Sequence, residues 1–87
     1  MKILLLTQEN CHFCAMAKEM LDRLSSEYPF SVSVIDLNTP AGQEIALQAG
    51  VLFPPGILID GKPFSYGRPS EKKFRRELER ANAIASS

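Results

Sequence analysis

Ile3 to Leu6 is an unbroken apolar run, and apolar residues recur after it at Cys14, Ala17, Leu21, Leu24 and Tyr28. A run of the first kind suits a strand buried on both faces. The spacings of three and four put the later residues on one stripe of a helix, which Pro29 is expected to end. Phe30 to Leu37 follows. Phe30, Val32 and Val34 point one way and Ser31 and Ser33 the other, so a half-buried strand near a sheet edge is expected. Strand, helix, strand is a βαβ unit, and its right-handed crossover makes the two strands parallel. A strand covered on both faces needs layers on both sides of its sheet.

The second half of the chain supplies them. Thr39 is a good N-cap, Pro40 fits a first helical position and Gly50 fits the position past the end. Those caps bound a short helix of about two to three turns. Gly56 to Asp60 reads as an apolar strand, and Asp60-Gly61 as a tight turn returning Lys62 to Tyr66 antiparallel. Ser70 caps a last helix, with Glu71 in its first turn, Arg80 near its end, and Phe74, Leu78 and Ala81 facing inward. Ser86 and Ser87 are expected to fray. The prediction is an α/β chain, β-α-β-α-β-β-α, with a mixed four-stranded sheet and helices on both faces. With 87 residues, positions 1–87 make one domain.

Formal net charge is zero, which argues against a nucleic-acid surface, although Lys72 to Arg80 is locally basic. No run approaches the roughly 20 apolar residues of a membrane-spanning helix. Ile3 to Leu6 is too short for the core of a secretory signal, so a cytoplasmic location is expected; the chain is also expected to be a monomer.

In a reducing cytosol, a close cysteine pair points to catalysis or metal binding. A staple across two residues would close a tiny loop and gain little chain entropy. Cys11 falls at the start of the first helix, where unpaired N–H groups and the dipole favour a thiolate. Cys14 lies one turn deeper on the apolar stripe, so it should be less exposed and have a higher pKa. Thiol–disulfide exchange needs that arrangement: Cys11 attacks a substrate disulfide and Cys14 resolves the mixed disulfide. The plainer alternative is two small buried residues with weak chemistry.

Zinc takes four protein ligands in structural sites and usually three in catalytic ones. This chain offers two Cys and His12, which lies between them and should project away from the cysteine face. A metal ion held by one chain is therefore not expected; an ion or cluster shared between two chains stays open. As an imidazolium, His12 would lower the Cys11 pKa; as a solvent-facing residue it would do little. Phe13 is either a substrate contact or a cap on the core. Phe53-Pro54-Pro55 precedes a strand, where prolines are tolerated. Only about 5–6% of X-Pro bonds are cis, so the pair alone does not imply one.

"CHFCAMAKEML" resembles the glutaredoxin segment CPYC-x-x-A-K-x-x-L at Cys11, Cys14, Ala17, Lys18 and Leu21. The chain thus resembles a glutaredoxin-like protein of the thioredoxin-like superfamily over about residues 2 to 84. The resemblance implies a thioredoxin fold with sheet order 2-1-3-4. Counting back from Gly61, it makes Pro55 the cis-proline that packs on the disulfide, with Pro54 and its neighbours holding the substrate and Phe13 and Phe53 as an apolar rim. Gln8 stands where glutaredoxins commonly place a lysine for a glutathione carboxylate. Phe53-Pro54 replaces their threonine-valine, and no Asp occurs near Arg68-Pro69-Ser70, where Arg68 offers a guanidinium instead.

The function implied is a thiol–disulfide oxidoreductase acting on protein or low-molecular-weight disulfides. It would need no cofactor for exchange and would draw electrons from glutathione as co-substrate or from a thioredoxin-reductase-type donor. Two other functions are compatible with the residues. His12 replaces the CPYC proline, and some relatives lacking that proline bridge an iron–sulfur cluster between two chains. A redox-inactive interaction domain would keep only the fold.

Overall fold

The computed structural model describes the backbone of residues 1–86 and the side chains of residues 1–81. The elements are β1 (Lys2–Thr7), α1 (His12–Ser25), β2 (Ser31–Asp36), α2 (Pro40–Ala49), β3 (Gly56–Ile59), β4 (Lys62–Tyr66) and α3 (Glu71–Ser86). The sheet order is β2-β1-β3-β4. β2 runs parallel to β1, while β3 is antiparallel to both β1 and β4. Order and strand senses are those expected from the sequence.

Alternation along β1 divides the core. Ile3 and Leu5, with Ile57, pack on Ala17, Met20, Leu21 and Leu24 of α1 and on Phe74 and Leu78 of α3. Leu6 and Leu58 pack on Ala46 of α2, with Leu4, Ile35 and Ile45 around them. Full burial of each such side chain is worth about 1.5–3 kcal/mol relative to exposure. Phe74 anchors the first layer, with Phe30 and Phe64 edge-on at ring distances of 6.0 and 5.7 Å.

The local signals hold where the backbone alone decides. Thr39 Oγ1 accepts the Gly42 N–H at 3.1 Å, and Gly50 closes α2 with φ 73°. Asp60 and Gly61 have φ of 49° and 83°, as a two-residue type I′ hairpin requires. Ser70 Oγ accepts the Lys73 N–H at the start of α3.

Packing changes three expectations. α1 stops at Ser25, before Pro29, because the Ser26 and Glu27 N–H groups turn back onto the Arg23 and Leu24 carbonyls, three residues behind them. Val32 and Val34 are 38% and 51% exposed, so the face of β2 expected to be buried is open. β2 is an edge strand, and α1 seats on Ile3, Leu5 and Ile57 of its neighbours. α3 continues to Ser86, so Arg80 lies inside the helix and pairs with Glu77 instead of the last carbonyls. Ser86 is thus helical, and Ser87 lies outside the described residues.

An ion-pair seam joins α1 to α3. Arg23 bonds Glu71 at 2.7 Å, and Arg75 bonds Glu27 at 2.9 Å and Glu71 at 3.2 Å. The hydrogen bond from Arg75 holds the Glu27 carboxyl below its ordinary range; those from Arg23 and then Arg75 do the same for Glu71. Depressed folded-state values stabilise the fold above the unfolded carboxylate pKa, and that contribution is lost as pH falls through the folded values. The pairs are solvent-exposed, so the effect is modest and salt-sensitive. Between neutral pH and about pH 3, the urea midpoint of the wild type should fall further than that of Arg75→Met. Equal falls would show that the Arg75 pairs contribute nothing.

Candidate active site

β1 delivers the chain to one end of the sheet, and three connections meet there. Leu6 pairs with Gly56, which places Pro55 beside Thr7. Gly56 in turn pairs with Tyr66. The segments Gln8–Cys11, Phe53–Pro55 and Gly67–Ser70 therefore share the C-terminal edge of β1. On the other side the Leu37 N–H donates to the Thr7 carbonyl at 2.7 Å.

Asn10 turns the chain into α1 with φ 56°, a left-handed conformation that asparagine tolerates. Cys11 is the N-cap, with extended φ −111° and ψ 108°. Its Sγ accepts the Cys14 N–H at 3.2 Å, the role usually filled by a serine or aspartate oxygen. The Cys11 and Cys14 Cα atoms are 5.2 Å apart with the sulfurs at disulfide distance. Cys14 is 3% exposed, whereas Cys11 is only partly buried. The expected pairing of an outer and an inner sulfur is thus the observed one. No acidic residue sits in the first turn of α1 to oppose an anion at Cys11.

His12 is the first residue of α1 and is exposed, with its ring 6.0 Å from that of Phe13, itself exposed. Among the described residues, no three His, Cys, Asp or Glu side chains gather as a ligand set.

The Pro54–Pro55 peptide bond is cis, as the resemblance implied. Pro55 is buried, and its carbonyl accepts the Gly67 N–H at 2.8 Å. Phe53 is 54% exposed and stands edge-on to Tyr66, ring centres 5.1 Å apart. The Phe53 ring also lies over Gly67, where an added Cβ would come within 2.6 Å of Cε2 and where φ is +83°. Gly67 is therefore required both by its backbone and by the ring above it. Gln8 and Arg68 are exposed in two of the three connections.

The structure thus brings the two cysteines into contact and clamps Phe53, Pro54 and Pro55 onto the β4–α3 connection. Gln8, His12, Phe13 and Arg68 stand exposed on segments that reach the same end of the sheet. Tyr66 and Gly67 join the site without having been singled out by the sequence. The sequence shows there a glycine directly after an aromatic strand end, in the segment YGRPSEKKFRREL, which resembles the thioredoxin pattern G-x-x-S-x-x-x-L.

The glutaredoxin-like domain family (DUF836) matches residues 2–79. A thioredoxin of Methanocaldococcus jannaschii is 29% identical over 79 residues, covering 91% of this chain and 93% of that protein. The structure of thioredoxin 1 from Thermosipho africanus superposes with a TM-score of 0.65 at 19% identity, covering 94% of this chain and 99% of that one. Reduced glutaredoxin of Escherichia coli superposes with a TM-score of 0.62 at 18% identity, covering 92% and 95%. At such identities the two structures speak for the fold alone, and it is the thioredoxin fold.

Proposed function

The chain belongs to the glutaredoxin-like domain family, and on that footing we propose that it is a thiol–disulfide oxidoreductase that reduces protein or low-molecular-weight disulfides. Fold and cysteine pair together support a thiol redox function. The observation that carries the finer reading is the asymmetry of the pair. The Cys11 sulfur caps a helix at the surface, and the Cys14 sulfur is buried one turn behind it.

In the first step the Cys11 thiolate attacks one sulfur of R–S–S–R′. A Cys11–S–S–R bond forms, and R′–S⁻ leaves and takes a proton from water. In the second, the Cys14 thiolate attacks Cys11 Sγ, the intramolecular disulfide forms and R–S⁻ leaves. Two electrons have passed from the protein to the substrate, and an external thiol donor returns them. The Cys14 N–H supports the Cys11 thiolate by a charge-assisted hydrogen bond. An imidazolium at His12 would add to that field.

Pro55 and its neighbours hold the substrate chain, Phe13 and Phe53 form an apolar rim, and Tyr66 braces Phe53. Gln8 and Arg68 contact the polar ends of a small thiol. The protein works as a monomer in the cytoplasm.

Gln8 offers a neutral amide where a cation would meet a glutathione carboxylate. A lost charge-assisted contact costs about 1.5–3 kcal/mol, or roughly tenfold and more in rate or affinity. Reduction of insulin disulfides should therefore run about tenfold faster with NADPH and a thioredoxin reductase than with glutathione and its reductase. No turnover with either donor would sink the oxidoreductase reading. A preference for glutathione would sink only the assignment of the donor.

A further inference from the structure

The connection that carries Phe53 is fixed at both ends. The Val51 N–H donates to the Ala46 carbonyl at 2.9 Å, and both Val51 methyl groups lie 3.0 Å from where a Cβ at Gly56 would stand. At the other end the Pro55 carbonyl accepts the Gly67 N–H at 2.8 Å. Between these anchors Pro54 disfavours a helical backbone at Phe53 and keeps it extended. The ring is fixed as well. One edge rests on Gly67, where an added Cβ would lie 2.6, 3.2 and 3.5 Å from Cε2, Cζ and Cδ2. Tyr66 meets the ring at 5.1 Å with the two planes 88° apart. Phe53 and Tyr66 nevertheless belong to neither core cluster, and 54% and 42% of them face solvent. Leu52, 77% exposed, precedes Phe53 in the chain, and no charge occurs from Val51 to Ile59.

An aromatic ledge held this firmly loses little freedom when a ligand covers it, so it favours an apolar partner. It offers nothing to a charged group, which would lose hydration there without gaining a partner. Oxidised glutathione ends in carboxylates and amines. A protein disulfide can lay an apolar neighbour of the attacked cysteine on the ring while Pro54 and Pro55 hold its backbone. Resting on the exchange reading above, we infer that Phe53 is the specificity-determining residue and selects protein disulfides with a bulky apolar residue beside the cysteine. Tyr66 is a positioning residue that holds the Phe53 ring on Gly67. A ring that only shielded the bond between Pro55 and Gly67 would affect every disulfide alike.

Reduced protein, freed of added thiol and mixed with excess disulfide, reads the preference without any electron donor. The probes are oxidised glutathione and the symmetric disulfides of acetyl-Leu-Cys-Leu-amide and acetyl-Ser-Cys-Ser-amide. Thiol released before an acid quench is counted by chromatography. At low concentration the wild type should reduce the leucine peptide about tenfold faster than the serine peptide or oxidised glutathione. The difference should lie in the half-saturating concentration, because the ledge binds substrate and transition state alike. Phe53→Ala should bring the ratio of the two peptides close to one, and Tyr66→Ala should lower it about threefold. Tyr66→Phe, which keeps the ring, should retain it. Should circular dichroism show Phe53→Ala unfolded, Phe53→Gln replaces it with the same expectation. A wild type that reduces both peptides equally, or a Phe53→Ala variant that keeps the tenfold ratio, overturns the assignment of Phe53. An undiminished ratio in Tyr66→Ala overturns the role of Tyr66. A wild type that releases thiol from none of the three disulfides overturns the exchange reading and the substrate assignment with it.

Discussion

Cys11→Ser is expected to lower disulfide turnover by about a thousandfold or more, whereas Cys14→Ser should stop the cycle after one covalent step. The two cysteines are 5.2 Å apart at Cα and belong to the same helical turn, yet the proposed mechanism gives them different work. Cys11 is partly exposed, caps α1 and receives an N–H from the backbone. A serine oxygen there is protonated at neutral pH and is a poor nucleophile toward sulfur. Removing a nucleophile costs far more than removing a group that acts afterwards; losses of about 10³-fold or more are common. In the proposed mechanism Cys14 meets only the mixed disulfide. Its serine variant should therefore accumulate one equivalent of substrate thiol on Cys11, seen as an added mass that dithiothreitol removes. Excess glutathione can attack that adduct from solution, so Cys14→Ser should regain partial turnover with glutathione and Cys11→Ser should not. A Cys11→Ser protein that keeps a tenth of wild-type activity would place the nucleophile elsewhere.

The pair was legible because its chemistry is local. Two cysteines at a spacing of three, just after a strand and opening a helical stripe, show where the pair lies and which sulfur is the inner one. The caps at Thr39 and Gly50 and the Asp60-Gly61 turn were readable for the same reason, since each expresses a backbone preference of a few residues. Pro55 was located by counting along a family pattern; two prolines in a row carry no isomer preference of their own. What the sequence withheld depends on distant packing. Val32 and Val34 alternate like a strand with one buried face, and the edge position of β2 was readable, but α1 seats on β1 and β3 and leaves that face open. A plain count back from the hairpin turn opposes Gly56 to Ser65. A register shift between Ile57 and Leu58 opposes it to Tyr66 instead and carries Gly67 to the site. Thr7 reads as the start of a polar turn, yet it is the last residue of β1 and is buried.

Gly42→Ala should destabilise the fold by about 2–3 kcal/mol, the reverse of what helix propensity predicts. Gly42 lies inside α2, where replacing glycine by alanine ordinarily gains about 1 kcal/mol. Here an added Cβ would sit 2.2 Å from the Asp36 carbonyl oxygen and 3.0 Å from Leu37 Cα, both backbone atoms. The carbonyl cannot swing away cheaply. It accepts the Thr39 N–H at 3.1 Å and the Thr39 hydroxyl at 2.7 Å, and these bonds form the turn that starts α2. Either α2 lifts from the sheet, uncovering Leu6 and Leu58, or the turn opens and the N-cap is lost. Each route outweighs the propensity gain in a domain whose whole stability is of order 5–15 kcal/mol. Ala41→Gly is the control, because Ala41 is the exposed neighbour on the same helix. It should cost only about 0.5–1 kcal/mol. Urea unfolding gives both values. A midpoint that rises in Gly42→Ala would mean that α2 does not seat on the Asp36 carbonyl. Since Asp36 pairs with Thr7, the same lift would loosen the end of β1 that carries the cysteines. Below its melting temperature, the folded Gly42→Ala variant should therefore keep Cys11 reactivity but lose part of the protection of Cys14 from alkylation.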